Sequence, residues 1–517
     1  MRPRNHTLSR LALASVAVTA TVAGVLTAIP ADATVNPRPL ASSQAAEKAL
    51  ARVQALRAPA PLGQARARTA TPTAQGDLTM AMRDLRRLRG ELSTGDQKTA
   101  TTLLARPSTT TYRDFGDVRV HYSTSGSDKS TSAYVNEVGD VVTHVLETYV
   151  DAGYRSPRSD GTRGGGSGLL DIYLQNLGPQ TYGYCDSDTA PPSNGPYDTW
   201  AYCAFDNNYA EFPAHTPLEN LEVTAAHELF HAVQFAYDYD EDAWFMEATA
   251  TWAEDEVYTD VNDNLQYLAQ SPLSQPRKSM DHFSGVRQYG DWIFFRYLSE
   301  KFPKKVGQLP VLMRDLWERV DGAAGGQDEY SMQAVDRELK ARGTKLRKVF
   351  AEFADANRHP GSSYSEGADN SYPAAPLIGT WNFSPRKRDS DWRRGTLDHL
   401  TSSTVKMVPS SAMRSGWRLK VALDLPKRSH GSGAVVSVYG ASGGVTSHYV
   451  ALDRKGDART SVPFGTRSVS RVEVTMANAG IDYKCWQGTN FSCQGRSRDN
   501  DRTIKIRAQA VRTSSAS

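Results

Sequence analysis

The chain has 517 residues, 39% of them hydrophobic and 23% charged, and its 60 Lys and Arg against 57 Asp and Glu leave a formal charge of +3. That composition supports a sizeable core spread over two or three domains and excludes both a disordered tail and a small disulfide knot. So even a balance also excludes the sustained basic field of a dedicated nucleic-acid binder, so nucleic acid is not an expected partner.

Residues 1–33 read as a signal peptide. Arg2, Arg4 and Arg10 precede the apolar run Leu11 to Ile29, which ends at Pro30 before Ala31-Asp32-Ala33, an A-x-A cleavage pattern. The rival reading, an uncleaved anchor, is weakened by Ser15, Thr19, Thr21, Gly24 and Thr27, which dilute the run. No later stretch is apolar enough to span a bilayer, so a secreted, extracellular chain with no membrane association is expected. The four cysteines suit an oxidising compartment, and nearest-neighbour pairing joins Cys185 to Cys203 and Cys485 to Cys493. Neither spacing matches structural zinc.

Residues 34–77 are rich in Ala, Pro, Arg and Thr without sustained apolar periodicity, as in a linker or the front of a pro-segment. A helical segment follows over 78–110, with Leu78 to Leu104 read as one helix through Leu85, Leu88 and Leu92. Its retention in the mature chain is left open by the spacing. Over 111–378 strands are expected at Val118 to Tyr122, Leu169 to Leu174 and Trp200 to Phe205, with a helix along Val135, Val138, Val142, Val145 and Tyr149. From Thr216 to about Arg358 the pattern is mostly helical. Sheet first and helices later is an α+β order, unlike a doubly wound fold. Residues 379–517 carry short alternating runs between turn residues, which predict a separate all-β, sandwich-like domain.

The chemistry concentrates at His227-Glu228-Leu229-Phe230-His231. Thr216, Pro217 and Glu219 supply an N-cap, a first-turn proline and a capping box, so the following stretch is a helix. At four residues' separation His227 and His231 lie about 40° apart on it, near enough to grip one ion. Glu228 borders that face and is placed to act as a base on water at the metal. A zinc hydrolase needs a third protein ligand. Gln234 and Tyr237 stand where the metzincin pattern requires Gly and His, which excludes that class. Glu247, Thr251 and Glu254 share one face of a second expected helix, Trp244 to Glu254, so either carboxylate is a candidate ligand. Asp238, Asp240 and Asp242 in the intervening link are lesser candidates.

Trp244, Glu247, Ala248 and Ala250 fit the Trp-x-x-Glu-(Gly/Ala)-x-Ala signature of the second helix in gluzincin-type zinc metallopeptidases, and the two helices together resemble that class, most closely the secreted metallopeptidases of actinobacteria and myxobacteria. The resemblance spans roughly residues 110–360. It implies a zincin-like core, one catalytic Zn²⁺ on His227, His231 and Glu247, and Glu228 as general base. It also implies a later Tyr or His that stabilises the oxyanion, for which Tyr289 is the candidate and His282 a second one. Glu254 then becomes a partner that orients a histidine. Only fifteen residues separate His231 from Glu247, fewer than in the best-known gluzincins, which withholds any borrowed detail of the substrate cleft. Asp260 to Asn264 and Arg498 to Asp501 are candidate sites for structural Ca²⁺, and no G-x-S-x-G elbow argues for a serine hydrolase. The expected function is hydrolysis of peptide bonds in a protein or peptide substrate. The alternative is a non-catalytic adhesion or binding protein on the same scaffold, with a β domain that binds carbohydrate or cell wall.

Overall fold

The computed structural model describes residues 42–58, 77–109 and 111–513; the expected signal peptide lies outside the described residues. The first described element corrects the linker reading. Ser42 accepts from Ala45 N and caps helix α1 (Ser43–Arg57), whose Ala46, Ala49, Leu50 and Val53 fall on one buried face. The long helix expected over Leu78 to Leu104 is likewise two. α2 (Leu78–Leu88) ends in a single 3-10 turn around Gly90, and Ser93 starts α3 (Thr94–Leu103) by accepting from Asp96 N. We refer to α1–α3 as the N-terminal arm.

β1 (Thr111–Phe115), β2 (Val118–Tyr122), β3 (Leu170–Gln175), β4 (Gly183–Asp186) and β5 (Tyr202–Asp206) form one sheet in the order β1-β2-β3-β5-β4. Its three central strands are parallel, and both edge strands run antiparallel to their neighbours. Alternation along the strands sends Ile172, Leu174, Cys203 and Phe205 to one face and Tyr173, Tyr184, Tyr202 and Ala204 to the other. The first face packs on α4 (Ser132–Asp151) and α5 (Pro217–Phe235); the second is covered by the arm. Burial on both faces explains why the strands read as unbroken apolar runs.

The helices expected after Thr216 are present. α6 (Ala243–Val257) follows α5, then α7 (Arg287–Gly290), α8 (Trp292–Lys301), the two-residue ribbon of β6 (Lys305–Val306) and β7 (Leu309–Pro310), α9 (Val311–Arg319), α10 (Ser331–Ala341), α11 (Leu346–Ala356) and the short α12 (Pro360–Ser363).

The C-terminal part is two packed sheets. One is β8 (Gly379–Phe383), β10 (Thr401–Pro409), β12 (Ser432–Gly440), β13 (Val445–Tyr449) and β15 (Val469–Asn478); the other is β9 (Arg393–Leu397), β11 (Trp417–Asp424), β14 (Asp457–Pro463) and β18 (Arg502–Arg512). Met407, Leu419, Val421, Val472, Val474 and Ile506 meet between them as alternate residues of each strand. The outer face of the first sheet lies on α11, so Val435 and Ala477 join the core of the helical half. Arg358 and buried Glu473 pair across this contact at 2.8 Å. Beside the small ribbon of β16 (Tyr483–Lys484) and β17 (Arg496–Ser497), a disulfide loop reaches back: Cys493 N donates to Asp242 at 2.8 Å and Trp244 Nε1 to Ser492 at 3.2 Å. Both disulfides pair as expected, Cys185 with Cys203 and Cys485 with Cys493. No helix among the described residues is long and apolar enough to cross a membrane.

Candidate metal centre

The reciprocal capping box starts α5, with Thr216 Oγ1 accepting from Glu219 N and Glu219 accepting from Thr216 N. Beyond its first turn the helix is buried nearly all round by Leu221, Ala225, Leu229, Phe230 and Val233, because it is wedged between the sheet and α6. Contacts across the helix pair run in opposite directions: His227 meets Glu254, His231 meets Glu247 and Gln234 meets Met246. The two helices are therefore antiparallel.

This register brings His227, His231 and Glu247 together. His227 Nε2 and His231 Nε2 are 3.1 Å apart, and Glu247 approaches them at 3.2 and 3.3 Å. Among the described residues these three are the one group of His, Cys, Asp and Glu side chains whose donor atoms converge within 4.8 Å. The other ring nitrogens are occupied, His227 Nδ1 by Glu254 at 2.5 Å and His231 Nδ1 by Gln234 Oε1 at 2.7 Å. Gln234 Nε2 donates to Met246 O and Thr249 Oγ1, which fixes Oε1 as the end facing the imidazole. Each Nδ1 thus faces an acceptor, and each ring turns its Nε2 towards the Glu247 carboxylate.

A metal ion fits this arrangement. Bonds of about 2.0–2.1 Å to a tetrahedral ion hold its ligands about 3.3 Å apart, close to the separations seen. Glu247 Oε1 is buried without a hydrogen bond. Burial opposes charge on both imidazoles, yet Glu247 raises the pKa of each, aided at His227 by Glu254. Burial pushes Glu254 up to about 7 against the pull of His227. The carboxylates of Glu228, Glu247 and Glu254 surround two imidazoles away from water, a charge set that a divalent cation balances.

Glu228 lies on the same cleft. Burial raises its pKa, with Glu247 adding to the shift and both imidazoles opposing it. Tyr289 from α7 also lines the cleft, its ring 6.0 Å from that of His227 and stacked on Tyr267. Burial, reinforced by Asp77 and Glu247, keeps its hydroxyl protonated. His282 is elsewhere, stacked on Phe491. The link acids are also engaged away from the cleft: Asp240 pairs with Arg87, and Asp242 accepts from Ser331 and Cys493. In the candidate calcium segments Asp263 pairs with His215, and Asp499 with His430 and Arg502.

The cleft also contains residues that sequence reasoning did not single out. Gly183 of β4 passes so close to α5 that a Cβ there would meet Thr224 Cγ2 at 2.8 Å and Glu228 Cγ at 3.1 Å. Asp77 and Thr79, from the start of α2, line the same space, and Thr79 Oγ1 donates to Glu228 at 3.2 Å. An Asp before a helical run signals an N-cap, but nothing local relates it to a site so distant along the chain.

No family model matches the chain, and no curated protein does. Among solved structures, a surface-associated copper-binding protein important in copper acquisition by Methylomicrobium album BG8 aligns at 9% identity over 26% of this chain and 98% of its own, with a TM-score of 0.15. A family GH115 4-O-methyl-alpha-glucuronidase with specificity for decorated arabinogalactans aligns at 10% identity over 58% of this chain and 45% of its own, with a TM-score of 0.14. Likeness this slight bears on neither fold nor chemistry.

Proposed function

We propose that the chain is a secreted zinc peptidase of the gluzincin type, built on a zincin-like core. The observation that carries this reading is the meeting of two imidazole Nε2 atoms and the Glu247 carboxylate at 3.1–3.3 Å, with Glu228 beside them. His227, His231 and Glu247 would hold the ion; bound there, zinc polarises a scissile carbonyl and lowers the pKa of water towards ~7. Glu228 orients the attacking water, takes up its proton and returns it to the leaving amine. Burial raises its pKa, which favours holding the proton until it passes to the leaving group. Tyr289 keeps its proton and donates to the oxyanion as the carbonyl becomes tetrahedral. Glu254 and Gln234 hold the two rings with Nε2 inward. Two disulfides support an exported chain.

The test is metal content measured alongside peptide hydrolysis, on the secreted chain before and after limited proteolysis. Glu228→Gln should keep zinc and lose turnover, and His231→Ala should lose both. Full activity in Glu228→Gln would end the mechanism. A chain that purifies without zinc and shows no chelator-sensitive hydrolysis would favour a binding protein instead.

A further inference from the structure

The groove beside the candidate centre is filled by the chain's own N-terminal arm. β4 is an edge strand, and its outward Cys185 N–H is the kind of group an incoming extended peptide pairs with. Here Thr79 Oγ1 takes that N–H at 3.0 Å while donating to Glu228 at 3.2 Å. One hydroxyl therefore occupies both the base and the strand edge. Two residues earlier, Asp77 accepts from Met80 N through Oδ1, while Oδ2 is buried in the cleft wall without a hydrogen bond, 4.0 Å from Arg52. Leu78 stands between two cavities along β4, one of about 70 Å³ over the histidines and one of about 460 Å³ beyond, which share Leu78, Gln180 and Thr181 as lining. The smaller has room for a few waters and none for a peptide.

The arm packs on the sheet as one unit. Ala46, Leu50, Val53, Leu78, Met82 and Leu85 form one cluster with Tyr173, Tyr184, Tyr202 and Ala204 of the sheet, and Met80 joins the main core. Its remaining attachment is largely cationic: Arg83 donates to Glu241 O at 2.8 Å, Arg86 to Asp186 at 3.2 Å, and Arg87 pairs with Asp240 at 3.1 Å. Of these contacts the one made by Arg87 is the most open to solvent, and it is the one that salt screens most.

We propose that residues 42–104 are an intramolecular inhibitor of the site, with Thr79 blocking the base and the strand edge and Asp77 turning a carboxylate towards the metal ligands. The proposal rests on reading His227, His231 and Glu247 as a metal centre.

The test uses the full zinc-loaded chain with a specific protease site inserted between α3 and β1. Zinc removal by a chelator and hydrolysis of a quenched peptide library are measured before and after cutting, in high salt, with arm departure followed by gel filtration. The expected result is that the arm leaves and both rates rise roughly tenfold or more, as they must if the open form is a minor population beforehand. Thr79→Val with Asp77→Asn in the uncut chain should raise chelator access in the same direction while keeping the helix cap. An arm that stays bound after cutting, or one that leaves with both rates unchanged, overturns the proposal. Faster zinc removal without any peptide hydrolysis would keep the arm as a cover over the metal and sink the peptidase reading alone.

Discussion

Gln234 holds His231 from one turn further along the same helix, accepting the Nδ1 proton at 2.7 Å while its amide nitrogen is tied to Met246 O and Thr249 Oγ1 on α6. One side chain thus sets the tautomer of a ligand, the rotation of its ring and the spacing of the two helices. Replacing Gln234 by Leu should weaken zinc binding roughly 10- to 100-fold, read by chelator competition, and Gln234→Glu should recover part of the loss because it keeps an acceptor. Equal affinities in all three chains would remove Gln234 from the site.

Tyr289 faces a different demand, since its hydroxyl matters only once the carbonyl has gained charge. Tyr289→Phe should lower kcat about 100-fold and leave zinc content and KM close to the parent values. A variant with unchanged kcat would return Tyr289 to simple packing against Tyr267.

Gly183 permits β4 to pass the base at close range. In Gly183→Ala the added methyl presses on Thr224 and Glu228, and a displaced base should slow turnover about tenfold or more with zinc retained. The reverse pattern, zinc lost with the rate per bound ion preserved, would contradict this.

Asp281 and His399 form a buried pair at 3.0 Å between the helical half and the sandwich. Burial opposes charge on both, but each partner overcomes it, so His399 is raised above its usual 6.5 and Asp281 lowered below its usual 3.8. The His399 contribution is complete below 6.5 and fades as pH climbs through the raised value. The Asp281 contribution is complete above 3.8 and fades as pH falls through the lowered one. Unfolding free energies from denaturant titration should therefore separate the parent from Asp281→Asn most between pH 3.8 and 6.5, by about 3 kcal/mol, with the gap narrowing on either side. A gap independent of pH would mean that the pair is not ionised.

The helix pair was readable because its signals are local. Thr216, Pro217 and Glu219 fix where α5 begins, and the spacing of His227, His231 and Glu247 fixes which faces meet. The edge strand β4 was not, since four residues, one of them glycine, are too few for alternation to show amid turn residues. α1 was passed over because the surrounding proline-rich composition masked a four-residue apolar face. Thr79 meets Glu228 across 149 positions, a relation no window of sequence contains. Gln234 was visible only as the residue that spoils a metzincin pattern, and its use on His231 depends on where α6 lies.

The loop closed by Cys485 and Cys493 lays a backbone N–H on Asp242 and a serine on Trp244, at the start of the helix that presents Glu247. A gene shortened at residue 378 would strip those partners and the His399 that faces Asp281, leaving Asp281 without its imidazole and Asp242 with the Ser331 hydroxyl. Such a fragment, attractive for recombinant production, would carry a loosened α6 and a poorer grip on its ion than the uncut chain.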